Sequence, residues 1–199
     1  MRFRLWGIRF DVSFYFFALL AAFFVLEPDS VTACGAAAAL LHECGHLTAM
    51  LLVPGGHVEQ VSVTACGLRI RARLLGQHKG WLPVCIAGAA ANFMTAAIAM
   101  PLGLLINSPF LAVLASANIF MGAVNLLPVE PMDGGQALRA LMLRRYSPET
   151  ADRVCAAVSL AILIPLIAVG LWLLMRTQYN FSLLLLGIWL LGGVLGEYF

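Results

Sequence analysis

Long apolar runs separated by short polar breaks make up most of this chain. The runs predict membrane-spanning helices at residues 12–26, 31–53, 81–106, 110–127, 151–175 and 181–196. The breaks carry residues that end helices, such as the Pro-Gly-Gly at 54–56 and the Asn-Ser-Pro at 107–109. Residues 136–145 are rich in Arg on one side and predict a surface helix. We therefore expect an α-helical polytopic membrane protein with about six transmembrane helices.

Two segments between the second and third runs are too polar to cross a membrane and alternate as strands do. They cover residues 58–64 and 68–74, with a turn near 65–67, and predict a small membrane-associated β-hairpin. One face of the second strand carries Arg at 69, 71 and 73, which we assign to lipid phosphates rather than to substrate recognition. Residues 1–10 alternate loosely and predict another short strand at the membrane surface.

The composition agrees with a membrane protein, because 62% of the residues are hydrophobic and 11% are charged, whereas a soluble domain has about 25% charged residues. The Arg-rich N-terminus and the apolar run after it lack a small-residue cleavage site, so we predict a retained first span. We expect a single domain over residues 1–199. The cysteines include no C-x-x-C pair, and we expect free thiols at Cys34, Cys44, Cys66, Cys85 and Cys155.

The distribution of Lys and Arg predicts the orientation of the chain. With six spans and both termini in the cytoplasm, eleven of the twelve Lys and Arg residues are cytoplasmic, and only Arg176 lies on the far side. The second and fourth spans then bring residues 42–46 and residue 133 to a similar depth near the cytoplasmic face. We therefore predict a multi-pass protein of the cell membrane.

The second run contains the H-E-x-x-H pattern formed by His42, Glu43 and His46. Residues four apart share one face of a helix, so both imidazoles can bind one metal ion, for which zinc is the usual choice. Glu43 is placed to accept a proton from a water that this ion activates. A charge at the centre of a membrane helix costs about 2.5–3.5 kcal/mol, so we interpret these side chains as functional. Cys44 lies off the ligand face, where a small filler is expected.

A catalytic zinc site needs a third protein ligand, and Asp133 is the strongest candidate in the sequence. It follows two prolines and precedes two glycines in an apolar region. Such a broken backbone is tolerated at membrane depth only where it lines a cavity or packs inside protein. The alternative is that Asp133 caps the helix that begins at Gly134, and both roles can hold in part.

The pattern at 42–46 and the segment 125–134, Asn-Leu-Leu-Pro-Val-Glu-Pro-Met-Asp-Gly, together resemble the site-2 protease family of intramembrane zinc metalloproteases. The family has Leu where this chain has Met132, a swap of similar volume that we expect to be silent. A third family feature resembles residues 88–92, although Ala89 stands where many members have Pro. The six spans and the hairpin resemble the branch that includes the bacterial sporulation protease, stage IV sporulation protein FB. We expect neither a PDZ insertion nor a C-terminal regulatory domain.

The resemblance implies a zinc metalloendopeptidase in which His42, His46 and Asp133 bind Zn²⁺ and Glu43 is the general base. Its partners would be the lipid bilayer and a membrane-associated protein substrate, cleaved near the cytoplasmic face of a bacterial membrane. The sporulation branch suggests a sigma-factor precursor as this substrate. Regulatory membrane proteins and oligomers are compatible with the resemblance, and nucleic acid is not expected. Two other functions stay open: a catalytically inactive protein that binds clients or metal, and a metal transporter.

The resemblance also implies roles for two asparagines. Asn125, and in a similar way Asn92, would donate a hydrogen bond to the substrate carbonyl or its oxyanion, which can supply a few kcal/mol. The structural alternative for both is a hydrogen bond between helices, the role that we assign to Asn118. The histidines at 57 and 78 lie outside any motif, and we interpret them as ordinary surface residues.

Overall fold

The computed structural model describes residues 2–5, 8–12, 29–53, 56–64, 67–74, 81–179 and 181–198. These residues belong to two compact units, Met1–Ala123 and Val124–Phe199. The predicted first span, 12–26, lies outside the described residues apart from Val12, which ends a strand. The single domain over 1–199 stays a prediction.

The first unit holds helices α1 (Ser30–Leu52) and α2 (Trp81–Leu105) and most of α3 (Pro109–Asn125). All three form close to the predicted bounds. Small residues let α1 and α2 approach closely, because a Cβ added to Gly45 would lie 2.5 Å from the carbonyl oxygen of Ala87. This approach packs the helix that carries H-E-x-x-H directly against α2.

A sheet of four strands, in the order β1-β2-β3-β4, belongs to the same unit. The strands are β1 (Arg2–Leu5), β2 (Ile8–Val12), β3 (Gly56–Thr64) and β4 (Gly67–Leu74). Strands β3 and β4 pair antiparallel where the sequence predicts a hairpin, whereas two antiparallel strands, β1 and β2, form where the sequence predicts one. Strands β2 and β3 pair parallel, so the connection between them passes through α1, which also contacts β3. The sheet is thereby attached to the helix that carries the motif.

The second unit consists of α4 (Asp133–Met142), α5 (Pro148–Thr177) and α6 (Ser182–Tyr198) and of the loop before α4. The Nε of Arg139 lies 2.8 Å from a carboxylate oxygen of Asp152 and joins α4 to α5. Pro165 lies inside α5, which continues past it. An apolar cluster at the centre of the unit is fully buried and consists of Val129, Leu163, Leu190 and Val194.

Two of the described helices are long and apolar enough to cross a membrane, Trp81–Leu105 and Pro148–Thr177. Two shorter apolar helices are Pro109–Asn125 and Ser182–Gly196. Helix α1 forms where the second span is predicted, but it is not among these candidates. The arrangement of six spans and the orientation of the termini therefore stay predictions.

Candidate metal centre

Helix α1 places the two histidines of the motif one turn apart on its buried face. His42 is 5% exposed and His46 is 8% exposed. Their Nε2 atoms lie 3.1 Å apart, and the ring planes are nearly perpendicular, at 83°. Two Zn–N bonds of about 2.0–2.1 Å at a tetrahedral angle span about 3.3–3.4 Å, so this separation suits two ligands of one zinc ion.

The opposite nitrogen of each imidazole bonds to α2. His46 Nδ1 lies 2.7 Å from the carbonyl oxygen of Val84, which can only accept, so this nitrogen carries the proton. His42 Nδ1 lies 2.6 Å from Oδ1 of Asn92. The amide nitrogen of Asn92 donates to the carbonyl oxygen of Ala38 at 2.9 Å, so its oxygen faces the histidine and accepts. Both histidines are thus held in the tautomer whose Nε2 lone pair can bind a metal.

The two Nε2 atoms lie 3.1 Å apart in a buried site, each with a lone pair that can bind a cation. Two imidazole nitrogens at this separation are suited to form one half of a zinc site. The two Nε2 atoms therefore suit zinc. A zinc ion also needs ligands besides these two nitrogens.

Gly88 forms the wall of α2 that the two histidines touch. A Cβ at this position would lie 2.7 Å from Nε2 of His42 and closer still to Nε2 of His46. Since real Cβ contacts of this kind essentially never fall under 3.0 Å, only glycine leaves room for the two nitrogens and an ion. The sequence pattern at 88–92 indicated a family feature but not this role.

Glu43 follows His42 on α1 and is half-buried. Cys44 is exposed, which agrees with its prediction as a residue off the ligand face. The described cysteines form no disulfide, and Cys66 lies outside the described residues.

The second unit holds the other predicted site residues at the two ends of one loop. Asn125 ends α3, Asp133 begins α4, and both side chains are half-buried. Met132, not Asp133, occupies the N-cap position of α4, and Asp133 is the acidic residue of its first turn. The alternative that Asp133 is the N-cap residue therefore does not hold, because Asp133 lies one position inside the helix.

The loop between Asn125 and Asp133 is built tightly into its own unit. A Cβ on Gly135 would lie 2.6 Å from the backbone nitrogen of Glu130, so the first turn of α4 rests directly on the loop backbone. That same nitrogen donates to the hydroxyl of Ser159 on α5 at 3.2 Å. The Glu130 side chain is 6% exposed, and its Oε2 has no hydrogen-bond partner among the described residues. These contacts fix the backbone that carries Asp133.

The structure thus brings three of the predicted site residues together in the first unit: His42, His46 and Asn92. Asn92 lies behind His42 and is fully buried, with its amide engaged by the histidine, by Ala38 and by Asn118. This geometry favours the structural alternative for Asn92 over contact with a substrate carbonyl. The hydrogen bond between Asn92 and the imidazole of His42 has no signature in the sequence beyond the spacing of residues 88–92.

Comparisons with known proteins find related sequences and a related fold. Residues 106–166 match the model of Peptidase family M50. A zinc metalloprotease of Methanocaldococcus jannaschii is 26% identical over 147 residues, which cover 66% of this chain. The chain spans 40% of the length of that relative.

A solved structure, the site-2 protease from Methanocaldococcus jannaschii, has the same fold. Its TM-score is 0.68 at 22% identity, and the similarity covers 100% of this chain and 95% of that one. These matches name no sporulation protease, so that branch of the family stays a prediction. This chain is thus similar in sequence to Peptidase family M50 over residues 106–166 and to a zinc metalloprotease, and similar in fold to a site-2 protease.

Proposed function

We propose that this chain is an intramembrane zinc metalloprotease that hydrolyses a peptide bond of a membrane-associated protein near the cytoplasmic face. The observation that carries the proposal is the buried histidine pair, with its Nε2 atoms 3.1 Å apart and both Nδ1 atoms engaged. Such a pair can bind a cation through both Nε2 atoms.

Asp133 is our proposed third ligand. A catalytic zinc has three protein ligands and an open position, and Asp133 completes the family pattern with His42 and His46. Its place in the first turn of α4, on a loop held by Ser159 and by the glycines, gives the carboxylate a fixed support. When bound, zinc polarises the scissile carbonyl and lowers the pKa of the attacking water.

The remaining site residues move the proton and hold the substrate. Glu43, next to His42 on α1, accepts the proton of the attacking water and passes it to the leaving amine. Asn125 donates a hydrogen bond to the scissile carbonyl oxygen, an interaction that strengthens as negative charge develops there. Asn92 is a positioning residue instead, since its amide is already engaged by three partners.

The client is an extended segment of a membrane-associated protein, and a membrane-tethered sigma-factor precursor is the narrower candidate. A helical segment hides its carbonyls in its own hydrogen bonds, so it must unwind before hydrolysis. Strand β4 supports a docking place for it, because the strand lies at an edge of the sheet and pairs there with β3. Strand addition at this edge would satisfy the client backbone close to lipid.

The experiment compares wild-type protein with Glu43→Gln and Cys44→Ser in vesicles that contain a membrane-anchored client peptide. We expect cleavage that depends on metal, that Glu43→Gln abolishes with zinc retained, and that Cys44→Ser leaves intact because Cys44 is exposed. Zinc binding without cleavage by wild-type protein would favour an inactive binding protein. Zinc transport into the vesicles that survives Glu43→Gln would favour a transporter.

A further inference from the structure

We propose that Asn118 is a positioning residue of the metal centre, which acts through Asn92 to hold His42 in its metal-binding tautomer. The inference rests on the proposed zinc site and goes beyond it, because Asn118 lies on α3, two hydrogen bonds away from the imidazole. A stabilising contact between helices would not by itself depend on the imidazole tautomer.

A backbone carbonyl sets the donor and acceptor directions along this chain of hydrogen bonds. The amide nitrogen of Asn118 donates to the carbonyl oxygen of Leu114 at 2.8 Å. Because that oxygen can only accept, the amide oxygen of Asn118 faces the other way, towards Asn92. It accepts from the amide nitrogen of Asn92 at 2.8 Å.

The orientation of the Asn92 amide in turn determines which nitrogen of His42 carries the proton. Its amide nitrogen donates both to Asn118 and to the carbonyl oxygen of Ala38, so its oxygen is left to face Nδ1 of His42 at 2.6 Å. The imidazole must then carry its proton on Nδ1 and keep the lone pair on Nε2. An Asn92 amide turned by 180° would present hydrogens to Nδ1, move the proton to Nε2 and block the metal.

Because the two asparagines are buried, only protein groups can satisfy their hydrogen bonds. Asn92 and Asn118 are both 0% exposed, so water cannot replace a lost partner. The three helices α1, α2 and α3 each supply a member: His42, Asn92 and Asn118. Loss of the Asn118 oxygen leaves a buried N–H of Asn92 unpaired and loosens the group that orients the imidazole.

Two isosteric substitutions separate positioning from packing. Asn118→Leu keeps the number and branching of the side-chain heavy atoms and removes both hydrogen bonds. In Asn118→Asp, a protonated carboxyl reproduces both, since its O–H donates to Leu114 and its carbonyl accepts from Asn92. We expect Asn118→Leu to weaken zinc binding by about 10-fold and Asn118→Asp to retain the wild-type affinity, measured by competition with a chelator in detergent.

The imidazole ¹⁵N shifts of the metal-free protein give a second readout. We expect His42 and His46 both to be protonated on Nδ1, and Asn118→Leu to raise the Nε2–H fraction of His42 alone. His46 is the internal control, because it bonds to the Val84 carbonyl instead.

Two results would overturn the inference. One is an Asn118→Leu variant with lower thermal stability but wild-type zinc affinity and tautomer, which would make Asn118 a packing residue only. The other needs no variant: metal-free wild-type protein with His42 protonated on Nε2. Wild-type protein that binds no zinc would instead refute the proposed function, and the tautomer measurement would still decide the role of Asn118.

Discussion

Gly88→Ala is the substitution that tests the geometry of the metal centre most sharply. The new methyl carbon would lie 2.7 Å from Nε2 of His42 and closer to Nε2 of His46. Ordinary contact begins at 3.4 Å, so the His42 ring must move away by about 0.7 Å and the His46 ring by more, whereas a zinc–ligand distance tolerates about 0.2 Å.

The imidazole rings cannot move away from Gly88 without losing hydrogen bonds to α2. Val84, Gly88 and Asn92 follow one another at intervals of one turn on α2. Moving either imidazole away from Gly88 therefore lengthens its bond to Val84 or Asn92, now 2.7 and 2.6 Å. Each broken bond of this kind leaves a buried polar group unpaired and costs about 1–3 kcal/mol.

We expect Gly88→Ala to weaken zinc binding by more than the roughly 10–100-fold that loss of an outer hydrogen bond costs. Helix propensity works in the other direction, since Ala is better than Gly in a helix interior by about 1 kcal/mol. The assay is zinc affinity by chelator competition, with thermal unfolding of the metal-free protein as the measure of folding.

Gly35→Ala is the matched control. It adds the same methyl to α1, where nothing lies within 4 Å of the new Cβ. We expect it to bind zinc as wild-type protein does. Equal zinc affinity in wild-type protein, Gly88→Ala and Gly35→Ala would refute the assignment of Gly88 as the wall of the metal centre.

Two further predictions concern the membrane and the client. A reporter fused after Arg73 or Arg145 should report the cytoplasm, and one fused at Asn107 should report the opposite side. Reporters with the reverse locations would contradict the six-span model. Single Pro substitutions from Ile70 to Arg73 should abolish cleavage, with zinc retained, at the positions whose N–H points to the open edge of β4, because Pro has no N–H to donate. Alternate positions should disturb the pairing with β3, and a triple Arg-to-Gln change at 69, 71 and 73 should matter less. Should the Gln variant alone lose cleavage, the strand recognises its client by charge.

The sequence was sufficient for the features that depend on local pattern. The apolar runs predicted the helices from Ser30 onwards close to their bounds, and the i, i+4 spacing predicted that His42 and His46 share a face. The alternation at 58–64 and 68–74 likewise falls within two paired strands. In each case, periodicity along the chain carries the information.

The sequence was insufficient where distant segments meet. Nothing in the local pattern indicates that β2 pairs parallel with β3 across the intervening α1. The acceptor for His46 is the main-chain carbonyl of Val84, and every residue has such a carbonyl. Asn92 was expected near the substrate, but its neighbours on α1 and α3 engage its amide. Helix ends were the other weak point, since Met132 rather than Asp133 is the N-cap of α4.

The measurement that tests the account most directly is the zinc content of the purified chain and of its ligand variants. We expect about one zinc per chain, and we expect His46→Ala and Asp133→Ala each to lose most of it. Exposed Cys44 provides the control, because Cys44→Ala should keep the metal. Replacement of both His42 and His46 without loss of zinc would contradict the account, since the metal would then bind elsewhere.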